Sequence, residues 1–190
     1  LGALLLQAGH PAKSRPVLAD AERLLRGTRY HVEAAEASLT RANVAFTEGH
    51  WEVYIRLAPQ ALRAFRRAGY LGRAQSLLIN MAEAHIYLGQ EEEALTLFEE
   101  VKLLHDRVGW PAYRVGEATG RGRALSEMGL FDQALPFFLA ARERAQASGL
   151  TMNALQVDIW EGICRRRQGQ MQAALARPAV ASYCTPSPIA

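Results

Sequence analysis

Glycine recurs at a fixed interval in this chain. Gly9, Gly49, Gly89, Gly129 and Gly169 stand 40 residues apart, and Gly69, Gly109 and Gly149 fall midway between them. Such a period marks one supersecondary unit copied along an axis, each copy needing its neighbours to bury its apolar face. Between the glycines the apolar residues keep helical spacing: Ala94, Leu97, Phe98 and Val101 lie at i, i+3, i+4 and i+7. The unit is therefore a pair of helices. Glycine ends each one, because without a Cβ it takes the left-handed backbone of a C-cap at little cost. Tyr70, Trp110 and Leu150, which follow three of these glycines, are expected to make the apolar contact beyond the cap, and Pro111 opens a helix where its missing N–H is not needed. Helices are predicted over 31–48, 51–68, 71–88, 91–108, 111–128, 131–148 and 151–168. Pro59 falls inside one of them and predicts a bend there, since an interior proline otherwise costs about 3 kcal/mol. Pro16 and Pro136 share a repeat position nearer a helix start.

With 190 residues, 49% of them hydrophobic, the chain is long and apolar enough for a substantial core. No stretch is of a length to cross a bilayer, and the uncharged start lacks the basic residues of a signal peptide. Leu1 falls within a repeat, which suggests a piece of a longer protein. The net charge of +3 is small, and the triplet Arg165, Arg166 and Arg167 is a weak footprint for nucleic acid, which is disfavoured as a partner. Cys164 and Cys184 show no metal or redox spacing, which suits a reducing, cytoplasmic setting. Beyond about residue 175 the helical pattern fails among Pro178, Pro186 and Pro188. The expected organisation is a repeat array over 1–175, with a partial copy at 1–30 and copies at 31–70, 71–110, 111–150 and 151–175, followed by an irregular tail over 176–190.

Several columns of the repeat point to one family. A small residue stands at Ala42, Ala82, Gly122 and Gly162, a glycine seven residues later, and an alanine five beyond that at Ala94, Ala134 and Ala174; Phe98 and Phe138 follow four further on. These columns, with the run Gly89-Gln90-Glu91-Glu92-Glu93-Ala94-Leu95, resemble the tetratricopeptide repeat (TPR). The resemblance implies an all-α fold, a right-handed α-α superhelix built as a TPR-like solenoid of antiparallel helix pairs. The 40-residue period exceeds the family's usual 34 and is similar to the longer repeats of bacterial regulators. Tyr54 stands where the family has alanine, and the column Arg41, Met81, Arg121 and Glu161 is not consistently apolar. A HEAT or armadillo array, also with periods near 40, is the second architecture.

In tetratricopeptide arrays the first helix of each pair lines a concave groove that receives peptides or partner helices. Carried onto this chain, that register implies a partner-binding set of Asn43, Phe46, Asn80, Glu83, Tyr87, Arg123, Glu127 and Arg166. Leu39, Ile79 and Ile159 suit core and groove equally. Asn43 and Asn80 match two positions of the family's carboxylate clamp, but Leu39, Gly116 and Gly120 occupy places where the clamp needs basic donors, so that ligand is rejected.

Nothing in the sequence builds a catalytic centre. The five histidines have no metal-ligand spacing, and no phosphate loop, nucleophile elbow or dinucleotide fingerprint occurs. His85 reads as a partly buried structural residue and His105 as a surface residue near a helix end. Gly116, Gly120 and Gly122 fall mid-helix and suit close helix packing. The reading is a non-enzymatic scaffold without cofactor or metal, binding a protein or peptide. The alternative is a regulatory arm of a larger signalling protein, similar to the sensor superhelices of LuxR-type ATP-dependent activators or the arrays joined to CHAT proteases, whose partner would be another domain of the same chain.

Overall fold

The computed structural model describes residues 2–25 and 27–169. The expected tail over 176–190 and the end of the last expected repeat, 170–175, lie outside them. Among the described residues there are nine helices and no strand: α1 (Gly2–Gln7), α2 (Pro11–Leu25), α3 (His31–Thr47), α4 (Trp51–Arg67), α5 (Leu71–Tyr87), α6 (Glu91–Val108), α7 (Pro111–Glu127), α8 (Phe131–Ala147) and α9 (Thr151–Arg167). The predicted segments from residue 31 onward agree with these to within one residue at each end. The described residues form two compact units, one up to Leu88 and one from Gly89 onward. Within each unit short turns join the helices, so consecutive helices run antiparallel.

The turns show why glycine keeps its period. Gly49, Gly69, Gly129 and Gly149 all have φ between 66° and 77°. Beyond each of them the next N–H reaches back five residues: His50 to Ala45, Tyr70 to Phe65, Leu130 to Leu125 and Leu150 to Ala145, at 2.8–2.9 Å. This is the Schellman closure, in which carbonyls left over at the helix end are satisfied. The helix starts have no comparable help, because no N-cap side chain of α3 through α9 bonds to its helix. The left-handed glycine therefore sets each corner. A Cβ added at Gly69 would meet nothing within 4 Å, so Gly69→Ala isolates the backbone term. It is expected to lower stability by about 1 kcal/mol, read from the urea midpoint at unchanged m-value.

The apolar residues expected just past the caps behave differently. Tyr70 and Trp110 are mostly exposed, Trp110 lying stacked on Tyr113 with ring centroids 5.5 Å apart; only Leu150 is partly buried, packed against the core of the second unit. Helix α4 runs uninterrupted across Pro59.

Each unit has its own core. In the first, Tyr54, Ala58, Ala61 and Phe65 of α4 pack in a layer with the buried faces of α3 and α5. In the second, Val115, Ala118 and Leu125 of α7 join Ala134, Phe138, Ala141 and Ala145 of α8 and Val157 and Cys164 of α9. Helix α7 sits between two phenylalanines. Gly120 receives the ring of Phe98 from α6, and Gly122 the ring of Phe138 from α8, where an added Cβ would lie 2.7 Å from Cε1. Glycine here is needed for space, as the sequence suggested.

One pair of repeat columns, 19 residues apart and on successive helices, changes character from copy to copy. Glu22 of α2 pairs with Arg41 of α3 at 3.1 Å. The same two positions hold Leu62 and Met81, both buried. In the last copy the charges are exchanged: Arg142 of α8 bonds to Glu161 of α9, whose side chain is 0% exposed, and also to Asp158 at 2.6 Å. Arg165 completes this network with a 2.8 Å bond to Glu161. The third copy has Lys102 and Arg121, two cations, and there Arg121 turns instead to Glu117 and Glu99.

Candidate partner-binding site

The eight residues expected to meet a partner divide between the two units. Asn43 and Phe46 on α3, with Asn80, Glu83 and Tyr87 on α5, belong to the first. Arg123 and Glu127 on α7, with Arg166 on α9, belong to the second.

In the first unit, Phe46 is the hub of an aromatic cluster. Its ring meets Trp51, Tyr54 and Tyr87 edge-on, at centroid distances of 4.8, 5.0 and 6.5 Å. Trp51 and Tyr87 stack at 4.4 Å with a 15° interplanar angle, and Tyr87 remains 47% exposed. The cluster thus has a buried end at Tyr54 and an open end at the Trp51 and Tyr87 pair. Burial pushes the Tyr54 phenol far above its usual range; the Asn80 amide beside it opposes this and the Glu83 carboxylate adds to it. Asn80 and Glu83 therefore lie next to the aromatic cluster, half-buried, as is Asn43. Leu39 and Ile79 are buried. Trp51 and Tyr54 lie on α4, the second helix of the pair and outside the first-helix register, where Tyr54 shows in the sequence only as a departure from the family's alanine. The aromatic spacing around the Gly49 turn was the available signal.

In the second unit the expected residues do different work. Arg123 is buried, its guanidinium 3.9 Å above the ring centroid of Trp160. Such a contact uses the face of the cation in packing. Glu127 is exposed and pairs with Arg167 at 2.6 Å, and Arg166 is exposed on α9. Cys164 is a buried free thiol, which burial pushes up in spite of a hydrogen bond with Ser126. His105, expected at the surface, is half-buried, as His85 is. Burial likewise raises the Glu117 carboxyl, against the opposing pull of Arg121. The i,i+4 spacing of Glu117 with Arg121, and of Glu161 with Arg165, was visible in the sequence as a hint of these buried pairs.

Among the described residues no helix is long and apolar enough to cross a membrane, and no group of three or more His, Cys, Asp or Glu could hold a metal ion. No family model matches the sequence, and no curated protein matches it. Solved structures match its fold. The apo form of RapI superposes with a TM-score of 0.84 at 16% identity, over 96% of this chain and 68% of that one. A Rap protein complexed with competence and sporulation factor gives 0.76 at 16% identity, over 92% of this chain and 48% of that one. The nearly identical TPR-like repeats of a putative kinesin light chain from Podosopora anserina give 0.74 at 16% identity, over 95% and 90%. At this identity the likeness concerns architecture, and it favours the tetratricopeptide arrangement over HEAT or armadillo. The chain has the tetratricopeptide-type repeat fold, an all-α solenoid of paired antiparallel helices.

Proposed function

We propose that this chain is a protein-interaction scaffold, and that α3 and α5 of its first unit present Asn43, Phe46, Asn80, Glu83 and Tyr87 to a peptide or partner helix. The observation that carries the reading is the solvent-open stack of Trp51 and Tyr87 on a buried aromatic base, with Asn80 and Glu83 beside it. Rigid, amphipathic aromatic area next to a few polar groups is the composition of binding hot spots. The complex of a structural neighbour with competence and sporulation factor agrees with a partner-binding role for the fold. Arg123, Glu127 and Arg166 form a second candidate surface on α7 and α9, with Arg123 acting through Trp160. A regulatory arm is the second reading, favoured by the Rap protein of which this chain matches only 48%: in that neighbour the corresponding helices belong to a longer chain.

The test is a peptide-display selection against the purified chain, followed by anisotropy titration of the selected peptides. Tyr87→Ala is expected to weaken binding roughly tenfold or more, the effect of losing a hot-spot aromatic, while helical circular dichroism is unchanged. Phe46 is a poorer probe because it supports three other rings. Selected peptides that bind equally to Tyr87→Ala and Asn80→Ala chains, or the absence of any binder, would contradict the proposal.

A further inference from the structure

A cavity of about 490 Å³ lies among α6, α7 and α8 of the second unit. Its volume is that of a small-molecule site. Lys102, Arg114, Arg121 and Arg144 contribute four cations to its lining, Glu99 and Glu117 two carboxylates, and Phe137 with Ala118, Pro136 and Ala140 an apolar wall. Three of the cations are exposed, whereas the Arg121 side chain is only 8% exposed. Arg121 gives Nε to Glu117 and Nη1 to Glu99, and its ring neighbour is Phe137, 5.9 Å from the guanidinium carbon. Its Nη2 is buried and has no hydrogen-bond acceptor among the described residues. A buried donor on a charged group left without an acceptor is costly, so this atom signals a missing partner.

The repeat columns give an independent argument. At the two positions where the first copy has Glu22 with Arg41, the second Leu62 with Met81 and the fourth Arg142 with Glu161, this copy alone has like charges, Lys102 and Arg121. Both line the cavity. The carboxylate that faces the cation across these two columns in the first and fourth copies is replaced here by Lys102. Glu117 takes the Nε of Arg121 from its own helix, and Glu99 takes Nη1 from an exposed position with its side chain 59% accessible, so the Nη2 corner is served by neither.

We propose that the cavity binds a small organic anion, a carboxylate or phosphate on an apolar body, whose head takes Arg121 Nη1 and Nη2 together and displaces Glu99. A bidentate pair on one guanidinium edge is stronger and more directional than the single bond it replaces. Lys102, Arg114 and Arg144 supply positive potential at the mouth, and Phe137 packs against the apolar body. The site lies wholly within α6 to α8 and does not depend on the peptide reading of the first unit.

Phenyl phosphate and benzoate serve as probes, with benzyl alcohol as the neutral control, in NMR titrations of the isotope-labelled chain at low salt. The two anions are expected to give saturable shifts at the Arg121 Nε–H and at α6 to α8 amides, with benzyl alcohol at least roughly tenfold weaker, the discrimination given by a charge-assisted pair. Glu99→Gln, which removes the competing carboxylate, is expected to tighten binding by roughly threefold to tenfold, whereas Glu143→Gln on exposed α8 surface leaves it unchanged. Lys102→Glu, which installs the complement used by Glu22 and Arg41, is expected to abolish binding and raise the melting temperature. Shifts that never saturate, a response equal for benzyl alcohol, or weaker binding in Glu99→Gln would overturn the proposal. So would unchanged binding in Lys102→Glu.

Discussion

Replacing Arg142 by Leu is expected to destabilise the second unit by about 3 kcal/mol, the loss typical of a buried ion pair deprived of one partner. The Glu161 side chain is fully buried, and Arg142 and Arg165 both bond to it. Removing Arg142 takes a cation from that buried carboxylate, and leaves Asp158 without its 2.6 Å bond. For a chain of this size the loss corresponds to a fall in melting temperature of roughly 6–12 °C. The double variant Arg142→Leu, Glu161→Met is expected to recover most of it. It puts at these two positions the residues that the second copy already carries there, Leu62 and Met81, both buried. Apolar replacement of a whole buried pair is commonly neutral or stabilising, because the desolvation of both charges is removed along with their attraction. Equal melting temperatures for the single and double variants would show that the ion pair is not what couples these positions.

That pair also marks what a single repeat column does not reveal. The glycine period carried the helix boundaries, because a left-handed corner tolerates few other residues and so leaves a trace in the sequence itself. The small column at Ala42, Ala82 and Gly122 was legible for a similar reason: a position that excludes side chains shows it directly. The column Arg41, Met81, Arg121 and Glu161 departs from an apolar pattern when each residue is taken alone. Its logic lies in the partner 19 residues earlier, on the preceding helix, and pairing of that kind appears only when two columns are compared. Within the candidate site, Phe46 and Tyr87 could be named from register, whereas Trp51 and Tyr54, which hold them, sit on the helix that the register assigned away from the groove. Arg123 shows the converse. Its charge suits an exposed position, but Trp160, two helices further on, covers its guanidinium. Side-chain direction depends on such neighbours, and periodicity does not report them.

Gly120→Ala is expected to destabilise the protein by about 2 kcal/mol, although alanine is the better helix former. In mid-helix the exchange normally gains up to about 1 kcal/mol from the lower backbone entropy of the unfolded chain. Here the new methyl would fall inside the space of the Phe98 ring. Phe98 is fully buried, so the ring cannot swing into solvent, and overpacking of this sort costs about 1–3 kcal/mol. With the cost at the upper end, steric conflict outweighs propensity. The sign is diagnostic, and a double-mutant cycle locates it. Phe98→Leu alone loses ring contacts, but in the Gly120→Ala background it makes room for the methyl, so the two changes together cost less than their sum by about 1 kcal/mol or more. Gly122→Ala behaves in the same way toward Phe138, with a smaller penalty because the added Cβ would stand 2.7 Å from the ring edge and a modest tilt relieves it. A stabilised Gly120→Ala chain, or strict additivity with Phe98→Leu, would mean that α6 and α7 are not held at this distance by the ring. Helix α7 would then owe its place between α6 and α8 to its ion pairs and to the core around Val115 and Ala118, with the glycines a matter of tolerance.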